Sequence, residues 1–171
     1  MKKLLFSVIL ATVFFGVVNA QKYAFVDTEY ILNNIPSYKS AQDQLDQLSA
    51  TWEKEIGELY AEVERLYKAY QNEAVLLTQE MKKQREEEIV NKEKQAKDMQ
   101  NKYFGLEGEL YKKRQELIKP IQDEIYNAVK EIAVDGNYAV IFDSSGSLSM
   151  LYTNPRYDLS DDVLEKLGYN N

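Results

Sequence analysis

From Ala41 onward, apolar residues recur at Ala41, Leu45, Leu48, Trp52, Ile56, Leu59, Val63, Leu66 and Tyr70, always three or four apart. That spacing lays them along one stripe of an α-helix, as in the seam of a coiled coil, with a stutter where two fours adjoin at Trp52 and Ile56. No proline falls within residues 37–73. At about 1.5 Å per residue, that stretch is a rod on the order of 55 Å long. A small globule cannot wrap such a rod, so the pattern demands a partner helix and predicts a projection. Ser37, after Ile35-Pro36, is placed to be its N-cap.

The partner follows in the same chain. The seam loses phase at Ala74-Val75-Leu76-Leu77, and Thr78 followed by Gln79, Glu80 and Met81 reads as a new N-cap with an acid in the first turn. The chain is therefore expected to reverse at 73–78. A second series then runs through Met81, Ile89, Ala96, Met99, Tyr103, Leu106, Leu110, Leu117, Ile121, Ile125, Ala128 and Ile132. Residues 37–77 hold 4 basic and 8 acidic side chains against 11 and 9 over 78–119, so the two rods attract when paired antiparallel. Glu88 with Lys92, Glu93 with Lys97, Asp98 with Lys102 and Glu109 with Lys113 have the acid-then-base spacing of four that supports a helix. Gly105, Gly108 and Pro120 predict bends, although Pro120 could equally open a fresh helix.

Short elements flank the rods. Lys22–Val26 reads as a strand ended by Asp27, and Glu29–Asn33 as one or two helical turns. Asp135-Gly136-Asn137 stops the second rod. Tyr138–Phe142 is expected to be a buried strand, residues 143–147 a turn, and Leu148–Tyr152 a further strand completing a hairpin, which Asn154-Pro155 ends. Asp158-Leu159-Ser160 caps a last short helix reaching Leu167. The fold class is α+β: a long antiparallel helical hairpin over 37–132, with its tip near 73–78, and a discontinuous strand-bearing body over 21–36 and 133–171. Residues 1–20 are a signal peptide: Lys2 and Lys3, an apolar run from Leu4 to Val18 too short to span a bilayer, and small residues before Gln21. Cleavage is expected after Ala20, with export of the mature chain. Loss of Lys2 and Lys3 makes the mature chain more acidic than the -7 of the whole sequence.

The composition removes most chemistries. There is no Cys and no His, so disulfides, Cys/His zinc sites, Cys nucleophiles and imidazole bases are excluded. The glycine-rich phosphate motifs are absent, and the negative charge disfavours nucleic acid. Asp143-Ser144-Ser145-Gly146 is ordinary turn chemistry, and Asp161 and Asp162 complement a helix start. No catalytic residue, metal site or cofactor is expected. What remains is aromatic. Of the 13 Tyr, Tyr60 and Tyr67 sit one residue beyond the seam positions Leu59 and Leu66. Either they cover the seam, or with Val75, Leu76 and Leu77 they leave apolar surface for an unfolded client.

A signal peptide, a strand of the form Lys-x-Ala-Phe-Val-Asp, a long helical hairpin, the strand Tyr138-Ala-Val-Ile-Phe-Asp143 followed by Leu-x-Met-Leu-Tyr, and a closing Asp-Leu-Ser-x-x-Val-Leu helix together resemble the Skp (OmpH-like) family of periplasmic chaperones. The resemblance implies a homotrimer whose strands form a small β-barrel, with three helical tentacles around a cavity. It implies an ATP-independent holdase for unfolded outer-membrane proteins. The chain departs from the family in being acidic, with no basic cluster at 74–78, which argues against contact with anionic membrane or lipopolysaccharide. The alternative, of a different class, is a structural coiled-coil spacer or adaptor without a client cavity.

Overall fold

The computed structural model describes residues 21–146 and 150–169. In chain order these form β1 (Lys22–Val26), α1 (Thr28–Asn33), α2 (Pro36–Glu73), α3 (Gln79–Phe104), α4 (Glu109–Asp135), β2 (Tyr138–Asp143), a 3-10 turn (Pro155–Tyr157) and α5 (Ser160–Lys166). The chain divides into two compact units, Met1–Ile31 with Asn127–Asn171, and Leu32–Tyr126. The expected signal peptide and the first residues of the expected hairpin strand, Leu148 and Ser149, lie outside the described residues.

In the helical unit, all nine seam residues from Ala41 to Tyr70 are buried or half-buried. The start of α2 differs from expectation. Its N-cap is Ile35, in extended conformation, and Pro36 is the first helical residue, so Ser37 already lies within the first turn and caps nothing. A residue before proline is driven to extended backbone, and proline at the first helical position supplies the right φ. The chain turns through Ala74–Leu77, and Thr78 caps α3, its Oγ1 accepting from the Met81 N–H at 3.3 Å.

The glycine pair does more than bend the second rod. It ends α3 at Phe104 and delays α4 to Glu109. A Cβ on Gly105 would lie 2.4 Å from the Asn101 carbonyl oxygen, and one on Gly108 2.7 Å from that of Tyr103. Backbone approaches of that closeness admit only glycine. Leu106, expected in the seam, is instead 98% exposed in the break. Pro120 neither starts nor ends a helix and sits inside α4. Beyond the break, Ala41 and Leu45 of α2 form a core with Ile118 of α4, and Tyr38, Leu110 and Leu117 pack against it.

In the other unit, β1 and β2 pair in parallel, with Ala24 opposite Ile141 and Phe25 opposite Phe142. The sheet has two strands among the described residues, and Met150–Tyr152 form no strand. Ala24, Val26, Ile31, Val163 and Leu164 are buried. Asp27 ends β1 by capping α1, its Oδ1 accepting from the Tyr30 N–H at 2.9 Å. Buried Ser160 ties the unit together: its Oγ accepts from the Asp27 N–H at 2.8 Å and donates to Asp158 Oδ1 at 2.6 Å. Tyr138–Phe142 is a strand as expected, but its burial is not: Val140 and Phe142 remain about half exposed, because one neighbouring strand and the short helices of this chain cannot cover both faces.

Asp143 locks the end of β2 to α1. Its carboxylate accepts from the Thr28 hydroxyl at 2.7 Å and N–H at 3.2 Å, and from the Ser145 N–H at 3.0 Å and hydroxyl at 2.8 Å. Burial pushes this carboxyl up, but the Thr28 and Ser145 bonds outweigh it and hold it below the ordinary aspartate value. A carboxyl depressed by folding stabilises the fold above its unfolded pKa of about 3.9, and that contribution disappears as pH falls through the folded value. Asp143→Ala should therefore cost about 1–2 kcal/mol at neutral pH. The gap from wild type in urea unfolding should close as the pH is lowered below about 4; a gap unchanged by acid would show that the carboxylate is not what locks the strand.

Candidate client-binding surfaces

The paired helices fix which side chains are consumed by the hairpin. Tyr60 donates to Gln100 Oε1 at 3.2 Å, Tyr103 to Glu55 Oε2 at 3.1 Å and Tyr70 to Glu86 Oε1. Lys92 reaches across to Glu62 at 3.0 Å rather than along its own helix to Glu88, and Lys113 pairs with Glu116 while Glu109 takes Lys112. The bond to Glu86, then burial, raises the Tyr70 phenol; burial, then the bond to Glu55, raises that of Tyr103. Near the break, Trp52 stacks on Tyr103 with ring centroids 4.6 Å apart and meets Phe104 edge-on at 6.3 Å. This is a favoured aromatic geometry.

Against that frame the five expected client residues separate into two groups. Val75, Leu76 and Leu77 lie together in the turn, Val75 92% and Leu76 85% exposed, with Leu77 half-buried. Tyr60 and Tyr67 lie on one face of α2, seven residues or about 10 Å apart. Both keep a large exposed fraction, 39% and 51%, although Tyr60 also spends its hydroxyl on α3. The five do not converge on a single pocket. They form a discontinuous apolar strip along α2 to the turn, a shape suited to an extended or unfolded chain rather than a small molecule.

Sequence periodicity missed part of this surface. Met81 and Val90 on α3 are also substantially exposed. Val90 follows the buried Ile89 by one position, the same offset that singled out Tyr60 and Tyr67, so that signal was available. Two basic side chains near the turn meet acids, Arg85 with Glu88 at 3.1 Å and Glu73 at 3.8 Å and Lys83 with Glu87 at 3.8 Å, whereas Lys82 makes no ion pair among the described residues. In the strand-bearing unit, Val140 and Phe142 of β2 and, further along the chain, the 100% exposed Leu151 and Tyr152 are also exposed apolar side chains. Among the described residues, no group of three or more acidic side chains is gathered to hold a metal ion, and no helix is long and apolar enough to cross a membrane.

Residues 22–167 match the family model described as outer membrane protein (OmpH-like). No curated protein sequence matches the chain. Among solved structures, an OmpH-like protein from Caulobacter crescentus superposes with a TM-score of 0.66 at 13% identity, over 86% of this chain and 84% of that one. At that identity the likeness speaks for the fold alone.

Proposed function

The chain belongs to the outer membrane protein (OmpH-like) family, and on that premise we propose that it is an ATP-independent holdase of the periplasm, which binds unfolded outer-membrane β-barrel proteins between helical tentacles and prevents their aggregation. The observation that carries this reading is the apolar surface left over when the hairpin closes: Tyr60, Tyr67, Val75 and Leu76 stay exposed and Leu77 part-exposed although the seam is already filled, and in this reading the five form the client site. A spacer or adaptor has no use for such a surplus, which in water is a standing aggregation hazard. Holding without ATP fits a sequence that has no phosphate cradle. No enzymatic activity is assigned.

The strand-bearing unit supports assembly of three copies. An apolar β2 half exposed on a two-stranded parallel sheet, with Leu151 and Tyr152 bare further along the chain, calls for cover that the described residues do not supply. Strands contributed by three protomers to one small barrel would supply it. The mature chain begins at Gln21 after removal of the signal peptide. Clients are recognised through apolar side chains, and the pairing of Lys83 and Arg85 with acids near the turn together with the negative net charge leaves little to attract anionic lipid or lipopolysaccharide.

The test is suppression of aggregation. Purified chain from Gln21 should run as a trimer by light scattering and keep a urea-diluted porin-type protein soluble without nucleotide, where serum albumin does not. A trimer that performs no better than albumin would favour the spacer reading. A monomer would remove the basis for a cavity between tentacles.

A further inference from the structure

We propose that Gln21 is a modification site: once exposed as the mature N-terminus it cyclises to pyroglutamate, giving the chain an uncharged, blocked end immediately before β1. This rests on the export reading above, because only cleavage after Ala20 gives Gln21 a free α-amine. The chemistry is internal to the residue. The neutral α-amine attacks the side-chain Cδ, a C–N bond closes a five-membered lactam, and the Cδ–Nε2 bond breaks. The departing nitrogen takes up the proton lost by the amine and leaves as ammonia, with no oxidant, reductant or second substrate. An α-amino group titrates at about 7.7–8.0, so a useful neutral fraction exists near pH 7. Amine and carboxamide held in one residue react at the high effective concentration of an intramolecular pair.

The structure leaves that reaction room and gives it a consequence. Gln21 is exposed and precedes the first strand residue, and none of the hydrogen bonds of the described residues engages its carboxamide. The next residue is anchored: Lys22 Nζ donates to the Gly136 carbonyl at 3.2 Å and lies 5.7 Å from the Tyr138 ring centroid. Gln21 is thus presented just outside a fixed point. β1 has only five residues, and its last three, Ala24, Phe25 and Val26, are buried. An aminopeptidase starting at a free Gln21 would next remove Lys22 with its anchors, then Tyr23, whose ring lies 6.0 Å from that of Tyr157. Short termini are where trimming starts, and a lactam withholds the free amine such enzymes require. The same cyclisation removes a positive charge next to the Lys22 ammonium.

Intact-mass measurement on protein taken directly from freshly fractionated periplasm tests this. Wild type should weigh about 17 Da less than Gln21–Asn171, the loss of one ammonia with removal of the terminal charge. It should resist a broad aminopeptidase until a pyroglutamyl peptidase is added. Gln21→Ala, which cannot form the lactam, should show its full mass and be trimmed at least tenfold faster; Gln21→Glu, whose carboxylate is a far poorer acyl donor, serves the same purpose if processing of the alanine variant fails. A wild-type mass equal to uncyclised Gln21–Asn171 would overturn the modification and leave export standing. A mass retaining residues 1–20, or beginning at another residue, would overturn both.

Discussion

Leu45→Ala should destabilise the helical unit by about 2–4 kcal/mol, whereas Leu106→Ala should stay within about 0.5 kcal/mol of wild type. Both leucines belong to the same sequence periodicity, yet Leu45 is 2% exposed in the core shared with Ala41 and Ile118, and Leu106 stands in the glycine-bounded break. Truncating Leu45 removes the transfer free energy of the deleted carbons and leaves a cavity that two stiff helices cannot collapse to fill. Urea unfolding followed by far-UV circular dichroism measures the loss. Hydrogen exchange should localise it, with protection falling first around Leu45 and Ile118 and persisting near Ile56, Val63, Ile89 and Ala96, which are buried elsewhere in the unit. Equal costs for the two leucines would mean that the seam continues unbroken through Leu106.

That contrast shows what a period can and cannot announce. A seam of threes and fours identifies a buried stripe wherever the helix continues, and Ala41 to Tyr70 are all at least half-buried. It is blind to a break that keeps the count. Between Tyr103 and Leu110 the spacing is still seven, although the segment 105–108 between them, with Gly105 and Gly108 at its ends, is not helical. The glycines were visible as a bend, but the carbonyl approaches that exclude a Cβ are tertiary facts. At the start of α2 the hydroxyl of Ser37 is a generic capping signal, while the constraint that prevails is Pro36 acting on Ile35. Pro120 reads as a breaker, but α4 continues through it. Cross-helix partners such as Glu62 for Lys92 were equally hidden, because spacing along one helix says nothing about which acid the neighbouring helix brings closer.

The strands illustrate a different limit. Tyr138–Phe142 has the apolar run of a strand covered on both faces, and the structure makes it a strand without covering it. An unbroken apolar strand encodes how much cover it needs, and the described residues show how little of it this chain provides. The shortfall at Val140 and Phe142 is the physical basis of the assembly proposed above. The client strip is legible in the same partial way: the offset of one from the seam marks Tyr60 and Tyr67, but the bond from Tyr60 to Gln100 shows that an offset tyrosine can serve the hairpin as well as a client.

Replacing Tyr60, Tyr67, Val75, Leu76 and Leu77 together by Ser should weaken capture of an unfolded outer-membrane protein by more than tenfold. Full burial of one such side chain against a client contributes about 1.5–3 kcal/mol, and tenfold in affinity requires about 1.4 kcal/mol. Val75 and Leu76 have most of their surface still to bury, so a partial share from those two alone approaches that threshold, and the tyrosines add to it. Leu59, Val63, Leu66 and Tyr70 keep the seam, so among the described residues the side-chain hydrogen bond given up by the five replacements is that from Tyr60 to Gln100, worth about 0.5–1.5 kcal/mol. A second variant with Tyr60 restored separates that structural cost from the client term. Because the five side chains are apolar or uncharged, affinity should change little between low and moderate salt, where an electrostatic site would weaken steeply. Titrating a fluorescently labelled, urea-diluted porin-type protein against wild type and both variants decides it. Equal affinities at unchanged helix content and oligomeric state would place the client site elsewhere.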